Sequence, residues 1–122
     1  MFNLTKSIED YLEAILILEK SNEKVKSVNI ARLLGVSKPG VNQAMNILKE
    51  NELIDKADYG DVVLTAKGRE IANEVYKKHL LIKDFLLKLG VSEEIAEHDC
   101  CKIEHILSDE TLNKIKNFVN DN

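Results

Sequence analysis

Cys101, Glu104 and His105 carry side chains that commonly bind metal ions, and they lie close together near the end of the chain. Their spacing of i, i+3 and i+4 places side chains on one face of a helix. A thiol, a carboxylate and an imidazole held a few ångströms apart suit a transition-metal ion. The segment therefore predicts part of a metal site, with a helix as its scaffold.

A pair of carboxylates near the start of the chain extends this hypothesis. Asp10 and Glu13 are separated by one helical turn, in a segment where apolar residues recur at helical spacing. Alone, they would be an ordinary solvated helix face. Combined with the C-terminal residues, they give a mixed set of donors that favours a borderline transition ion over Ca²⁺ or Mg²⁺.

The hydrophobic pattern predicts six helices and one short hairpin. The helices are expected over roughly 7–20, 28–34, 38–50, 66–89, 92–107 and from 108 onward, with strands at 53–54 and 62–64. Gly35 should end the second helix, Thr65 should cap the fourth, and Asp58 to Asp61 should form the hairpin turn. The long fourth helix is expected to join two halves of the protein.

Residues 27–49 have the pattern of a helix-turn-helix. Ala31 is small enough for two helices to pack closely, Gly35 allows the tight turn, and Val41 and Leu48 are expected to face the core. The candidate DNA contacts around the second of these helices are Ser37, Lys38, Pro39, Gly40, Asn42, Gln43 and Asn46. Asparagine and glutamine can pair with adenine, and lysine can reach guanine or phosphate.

The hairpin that follows is predicted to act as a wing. Lys56 and Tyr59 are expected near the DNA backbone. A winged helix used only for protein–protein contacts is the alternative interpretation of the same pattern.

The composition of the 122-residue chain, 44% hydrophobic and 31% charged, is typical of a globular protein. No apolar run approaches the roughly 18–20 residues that span a bilayer, and no secretory signal is visible. A cytoplasmic protein without a membrane partner is therefore predicted. Cys100 and Cys101 are the only cysteines. A disulfide between neighbours is strained, so Cys100 is expected to be a small buried hydrophobe.

The net charge of −4 is unexpected for a protein that binds phosphate groups. Residues 1–69 carry ten basic and ten acidic residues, whereas residues 70–122 carry seven and eleven. The acidic excess thus lies in the half that holds Glu104 and His105. A bound divalent cation would offset part of it and so favour DNA binding. An acidic solvated surface is the alternative explanation.

Five segments resemble the diphtheria toxin repressor family, which includes iron-dependent repressors and manganese transport regulators. These segments are Glu9–Glu13, Ser37–Gln43, Leu64–Arg69, Lys78–His79 and Cys101–Asp109. The resemblance covers nearly the whole chain and is to a short form without the third, SH3-like domain. It implies a mainly α fold, with a winged helix-turn-helix DNA-binding domain in residues 1–70. A long helix would join it to an α-helical metal-binding and dimerisation domain in residues 71–122.

The resemblance also implies a ligand set. The matching positions are Asp10, Glu13, His79, Cys101, Glu104 and His105. Asp10 and Glu13 match the manganese-type branch, whereas Cys101 matches the iron-type branch. In the iron type a second site uses two further residues, whose places are held here by Lys83 and Glu97, so that second site is not expected.

A homodimeric, metal-activated repressor of iron or manganese homeostasis genes, bound to a palindromic double-stranded operator, is the function that the resemblance implies. Cys101 is a soft ligand and Asp10 and Glu13 are hard ones, so Fe²⁺ is predicted as the activator and Mn²⁺ as the second choice. Helices five and six are expected to supply the dimer surface. The apolar residues expected there are Ile95, Ile103, Ile106, Leu107, Leu112 and Ile115.

Two other functions remain open at this point. One is a metal-independent or thiol-redox-sensing regulator that uses Cys100 and Cys101. The other is a small metalloenzyme built on the same donors, although the sequence contains no H-E-x-x-H pattern, phosphate loop or recognisable triad. A protein that is not an enzyme is therefore predicted.

Overall fold

A computed structural model describes residues 6–22, 24–56 and 61–121 of the protein. In these ranges the elements are α1 (Lys6–Lys20), α2 (Ser27–Leu34), α3 (Lys38–Glu50), β1 (Ile54–Lys56), β2 (Val62–Leu64), α4 (Ala66–Lys88), α5 (Glu93–Ile103) and α6 (Asp109–Asp121). The chain divides into two compact units, Met1–Asn73 and Glu74–Asn122. The predicted fold class, mainly α, is confirmed.

The first unit contains the predicted helix-turn-helix. Leu12 and Ile15 of α1, Ile30 of α2, and Val41 and Leu48 of α3 are fully buried, so the three helices share one core. The turn between α2 and α3 depends on its glycine because the backbone there is left-handed. Gly35 has φ 68° and ψ 36°, and its N–H donates to the Ala31 carbonyl oxygen in the last turn of α2.

The two strands pair in antiparallel fashion after α3. Ile54 lies opposite Leu64, and both side chains are buried, whereas Val63 is exposed. The first strand lies slightly further along the chain than the predicted 53–54. The hairpin turn was predicted at 58–61, and its residues 58–60, including Tyr59, lie outside the described residues, as does the side chain of Lys56.

Thr65 caps α4 and also ties it to the loop before β1. Its Oγ1 accepts the Gly68 N–H at 3.0 Å and donates to the Glu52 carbonyl oxygen at 2.7 Å. The Thr65 N–H donates to the Leu53 carbonyl oxygen at 3.1 Å. These bonds bring α4 so close to the loop that a β-carbon on Gly68 would overlap the Leu53 carbonyl oxygen.

Gly68→Ala is therefore expected to destabilise the protein by about 1–3 kcal/mol, the usual cost of overpacking a tightly packed site. The measurement is the free energy of unfolding in urea. Lys67→Ala changes the exposed neighbour and serves as the control, with an expected change within about 0.5 kcal/mol. Equal stabilities for the two variants would contradict the close approach at Gly68.

The second unit is built from α4 after Asn73, α5 and α6. Its core contains Ile82, Cys100 and Leu112, with Leu81, Leu86, Cys101, Ile103 and Leu107 packed against them. Leu112, predicted to lie on a dimer surface, is only 8% exposed and belongs to this core. Its burial inside the second unit is sufficient to explain why an apolar residue occupies this position of α6.

The fifth helix ends earlier than predicted, at Ile103 rather than Leu107. The Glu104 N–H still donates to the Cys100 carbonyl at 3.1 Å, but the Ile106 N–H donates to the Ile103 carbonyl at 3.0 Å, which tightens the turn. Ser108 then caps α6 by accepting the Thr111 N–H at 3.2 Å. The helical scaffold predicted beneath His105 is therefore wrong, and a tight turn replaces it.

Among the residues that the structure describes, no helix has the length and apolar character needed to cross a bilayer.

Candidate functional site

The helix α3 has one buried face and one polar, exposed face. Val41, Ala44, Met45 and Leu48 are buried at the i, i+3, i+4 and i+7 spacing of a helix that packs on one side. The opposite side presents candidate base contacts: Asn42, Gln43 and Asn46 are exposed. Their side chains are therefore free of the core, as base readout requires.

The remaining candidate DNA contacts form the start of the same helix. Ser37 is the N-cap, and its Oγ accepts the Gly40 N–H at 3.2 Å. Pro39 occupies the first turn, where its missing N–H costs no hydrogen bond. Ser37, Lys38 and Pro39 are exposed and Gly40 is half-buried. This end of α3 therefore presents exposed polar groups and backbone N–H groups that can reach phosphate.

The predicted metal ligands are divided between the two units. Asp10 and Glu13 lie on α1 in the first unit, where Asp10 is half-buried and Glu13 is buried. Their metal-binding role stays a prediction from the sequence. The second unit contains His79 on α4, Cys101 on α5, and Glu104 and His105 in the turn after α5. The structure brings these last four side chains together.

Glu104 is the centre of this group. Its Oε2 lies 3.2 Å from Nδ1 of His79, and its Oε1 lies 3.2 Å from Nε2 of His105. The Cys101 Sγ lies 3.8 Å from the same His79 Nδ1. The carboxylate of Glu104 thus lies beside both imidazoles, and the Cys101 thiol lies beside the His79 imidazole.

The surroundings of the Glu104 carboxylate fit a cation. Both of its oxygens are buried, and neither has a partner at hydrogen-bonding geometry among the described residues. A buried carboxylate in that condition is costly unless a positive charge compensates it. The nearby nitrogens, His79 Nδ1 and His105 Nε2, do not donate hydrogen bonds to the Glu104 oxygens. They are placed as further ligands of the same ion would be. The donor set therefore fits a divalent transition-metal ion.

The other ring nitrogen of His79 has a different neighbour. Its Nε2 lies 3.0 Å from Oε1 of Glu97, whose Oε2 accepts from Lys83 Nζ at 2.9 Å. Lys83 also lies 3.7 Å from an oxygen of Glu93. With its ring proton on Nε2, a neutral His79 would donate to Glu97 and turn the lone pair of Nδ1 toward Glu104.

The charges in this arrangement support each other. Burial alone would raise the pKa of Glu97, but the hydrogen bond from Lys83 and the neighbouring histidine outweigh it, so the pKa is lowered. The same hydrogen bond raises the pKa of Lys83. Glu97 is therefore held ionised beside His79. In the sequence, the i, i+4 spacing of His79 and Lys83 on one helix is the signal for this arrangement.

Cys100 lies nearer to the histidine than the sequence analysis implied. It is fully buried, as predicted, but its Sγ lies 3.6 Å from Nδ1 and 3.7 Å from Nε2 of His79. The thiol also donates to the Glu97 carbonyl oxygen at 3.3 Å. Burial raises the pKa of Cys100, and the neighbouring Cys101, Glu97 and Glu104 raise it further.

The first unit is a helix-turn-helix followed by two antiparallel strands, and its helix α3 exposes amide side chains. The second unit is helical and contains buried histidine, glutamate and cysteine donors. This combination defines a metal-responsive DNA-binding regulator. The model of the iron-dependent repressor N-terminal DNA-binding domain matches residues 3–62. The model of the iron-dependent repressor metal-binding and dimerisation domain matches residues 65–122. The chain therefore belongs to the iron-dependent repressor family, as the resemblance in its sequence predicted.

Relatives and a solved structure agree with this assignment. An uncharacterized HTH-type transcriptional regulator of Methanocaldococcus jannaschii is 37% identical over 118 residues, which cover 95% of this chain and 94% of the relative. The transcriptional regulator MntR of Escherichia coli O6:H1 is 39% identical over 111 residues, covering 91% and 72%. The structure of the manganese regulator SloR superposes with a TM-score of 0.81 at 31% identity and covers 98% of this chain.

The chain spans 55% of the SloR chain, about half the length of that solved relative. The named relatives are transcriptional regulators. Membership of this family confirms a DNA-binding transcription regulator with a dimerisation domain rather than an enzyme. The metalloenzyme alternative is therefore set aside.

Proposed function

We propose that this protein is a homodimeric repressor that binds a palindromic operator when His79, Cys101, Glu104 and His105 hold a divalent transition ion, Fe²⁺ ahead of Mn²⁺. Its targets in this proposal are iron or manganese uptake genes, and it acts in the cytoplasm, where its DNA lies. The observation that carries the proposal is the buried Glu104 carboxylate, which has no hydrogen bond among the described residues although two imidazoles lie 3.2 Å away.

The residues of the second unit act together in this proposal. His79 and His105 offer ring nitrogens, Cys101 a sulfur and Glu104 an oxygen, while Glu97 and Lys83 keep the His79 ring in one orientation. When bound, the ion supplies positive charge to a half of the chain with an acidic excess of eleven to seven. A smaller net negative charge would favour the approach of the DNA phosphates.

The preference for Fe²⁺ rests on the types of donor. Cys101 is a soft ligand that favours Fe²⁺, Co²⁺ or Zn²⁺ over Mn²⁺, whereas the carboxylate of Glu104 is hard. Fe²⁺ accepts both kinds of donor. Because Zn²⁺ binds such sets more tightly, selectivity in the cell must depend on geometry and metal availability.

A gel-shift series tests the proposed function. The probe is the upstream region of the protein's own gene, with Fe²⁺ under anaerobic conditions, Mn²⁺, Zn²⁺ or chelator. Fe²⁺ should produce the shift at a lower free concentration than Mn²⁺. If the chelated protein bound the probe as tightly as the metal-loaded protein, metal activation would be wrong.

Cys101→Glu is expected to move the response toward Mn²⁺, because it replaces the soft donor by a hard oxygen donor. The measurement is an anaerobic DNA-binding titration of the wild type and the variant with Fe²⁺ and with Mn²⁺. The ratio of the two activating concentrations should shift in favour of Mn²⁺. An unchanged ratio would show that Cys101 does not determine the metal preference.

Glu97→Gln is expected to weaken metal binding by about 10–100-fold, the usual effect of losing an outer partner of a ligating histidine. Calorimetric titration with Mn²⁺ measures it. Glu93→Gln is the matched control, because Glu93 also faces Lys83 but at 3.7 Å and with a side chain 81% exposed. Equal metal affinities of the two variants would remove Glu97 from the role of orienting His79.

The proposed dimer surface uses exposed apolar residues of the second unit. Ile106 is 77% exposed and Ile95 is 51% exposed, unusual values for large aliphatic side chains. Leu80, on α4, is also exposed and was not in the predicted set. Burial of these residues against a second copy would satisfy the dimerisation expected of the family.

The thiol-redox alternative has less support. The thiolate is the reactive form of cysteine. Cys100 is fully buried, and burial raises its pKa, so without a bound metal ion its reactive form is disfavoured.

A further inference from the structure

We propose that His79, Cys100 and Cys101 form a thiol-rich site for a soft or borderline divalent ion of the Zn²⁺ class, and that binding there competes with the activating ion. Neither the sequence nor the family match suggests Cys100 as a ligand. The three residues can each offer one ligand atom such that all of these atoms lie within 4.8 Å of one another.

The distances match a tetrahedral ion. Zinc lies about 2.0–2.1 Å from a histidine nitrogen and about 2.3 Å from a cysteine sulfur. At a tetrahedral angle these bond lengths place nitrogen and sulfur about 3.6 Å apart. The observed separations from His79 Nδ1 are 3.6 Å to Cys100 Sγ and 3.8 Å to Cys101 Sγ.

Charge and burial favour such a complex. On binding, each thiol gives its proton to solvent, and the two thiolates balance the two positive charges of the ion. A neutral histidine contributes only a lone pair, so the assembled group carries no net charge. That neutrality suits the neighbouring apolar side chains of Ile82 and Leu112, while the carboxylates of Glu97 and Glu104 lie beside His79.

The site described here differs from the Glu104 cluster in its chemistry and overlaps it in two residues. His79 and Cys101 belong to both groups, so one ion held by the two sulfurs excludes a second ion from the carboxylate-rich set. This competition rests on the proposed function, whereas the thiol-rich site itself does not.

Co²⁺ and Cd²⁺ are the probes, because both give sulfur-to-metal charge-transfer absorption that scales with the number of thiolate ligands. In the wild type, the absorption should correspond to two sulfurs. Cys100→Ala and Cys101→Ala should each remove about half of it, and Cys100→Ala should weaken Zn²⁺ binding by more than about tenfold while changing Mn²⁺ binding little. Far-UV circular dichroism checks that the variants fold.

The result that overturns the inference is full charge-transfer intensity in folded Cys100→Ala. Because Cys100 is buried, that variant could fail to fold, so cadmium NMR of the wild-type protein provides a second measurement. A cadmium shift typical of two sulfur ligands supports the site, and a shift typical of one sulfur or none contradicts it. One sulfur would still agree with the proposed function, whereas metal-independent DNA binding would refute that function and leave this site standing.

Discussion

Glu104→Gln should weaken metal binding by at least about 100-fold and abolish metal-dependent operator binding. Removing a residue that only hydrogen-bonds to a metal ligand already lowers metal affinity about 10–100-fold, and Glu104 is proposed as a ligand itself. Glutamine keeps the size of the side chain but offers a neutral amide in place of a carboxylate. The stability measurement follows by mass action. Metal at 100 times the wild-type Kd should stabilise the wild type by about 2.7 kcal/mol and a 100-fold weaker variant by only about 0.4 kcal/mol.

The metal-free proteins supply the second part of this test. Because both Glu104 oxygens are buried without a hydrogen bond among the described residues, a buried charge there is costly, and removing it should leave the metal-free protein as stable as the wild type or more stable. Urea unfolding in chelator measures this. Glu94→Gln, at an exposed position on α5, is the control and should change neither the stabilisation by metal nor the stability in chelator. A Glu104→Gln protein with wild-type metal stabilisation would refute the proposed centre.

Gln43→Ala is expected to cost about 1–3 kcal/mol at one base pair of the operator, which is roughly a 5–150-fold loss of discrimination. Gln43 is exposed on α3, whereas the buried Val41 and Leu48 hold that helix in the core. The substitution should therefore leave folding and metal affinity unchanged. Gel shifts on an operator and on single-base variants of it, all at one salt concentration, measure the effect.

Lys38→Ala is the matched control on the same helix. A lysine that contacts phosphate weakens binding about equally for every sequence and lowers the salt dependence by about one unit when removed. If Gln43→Ala also weakened all sequences equally, Gln43 would be a phosphate contact rather than a base contact. Unchanged binding by Gln43→Ala would remove this helix from DNA readout.

Local patterns were sufficient to predict most elements of the first unit. The buried face of α3 repeats at helical spacing, and Gly35 ends α2 because few other residues adopt its left-handed backbone. Thr65 was recognisable as a helix cap, and its Oγ1 accepts the backbone N–H three residues further on. Such signals lie within one helical turn, so the sequence alone contains them.

The end of α5 was harder to predict. Residues 93–107 have an apolar pattern that continues past Ile103, but the backbone tightens there and Ser108 begins a new helix. The spacing of Cys101, Glu104 and His105 suggested a shared helical face. Instead, only Cys101 lies within α5, while Glu104 caps it and His105 lies in the turn. Helix ends depend on competition between neighbouring caps, which periodicity does not measure.

Donor types, their spacing along single helices and the helix-turn-helix pattern were properties of the amino-acid sequence, and they led to the family and to the candidate ligands. The neighbours of His79, Cys100 and Cys101 were decided by the packing of α4 against α5. His79 and Cys100 are 21 residues apart in the chain, yet their side chains come within 3.6 Å. In the folded protein, Nε2 of His79 also lies 3.0 Å from Oε1 of Glu97, and both Glu104 oxygens are buried. Burial and hydrogen-bond partners arise between helices, so they exist only once the second unit has folded.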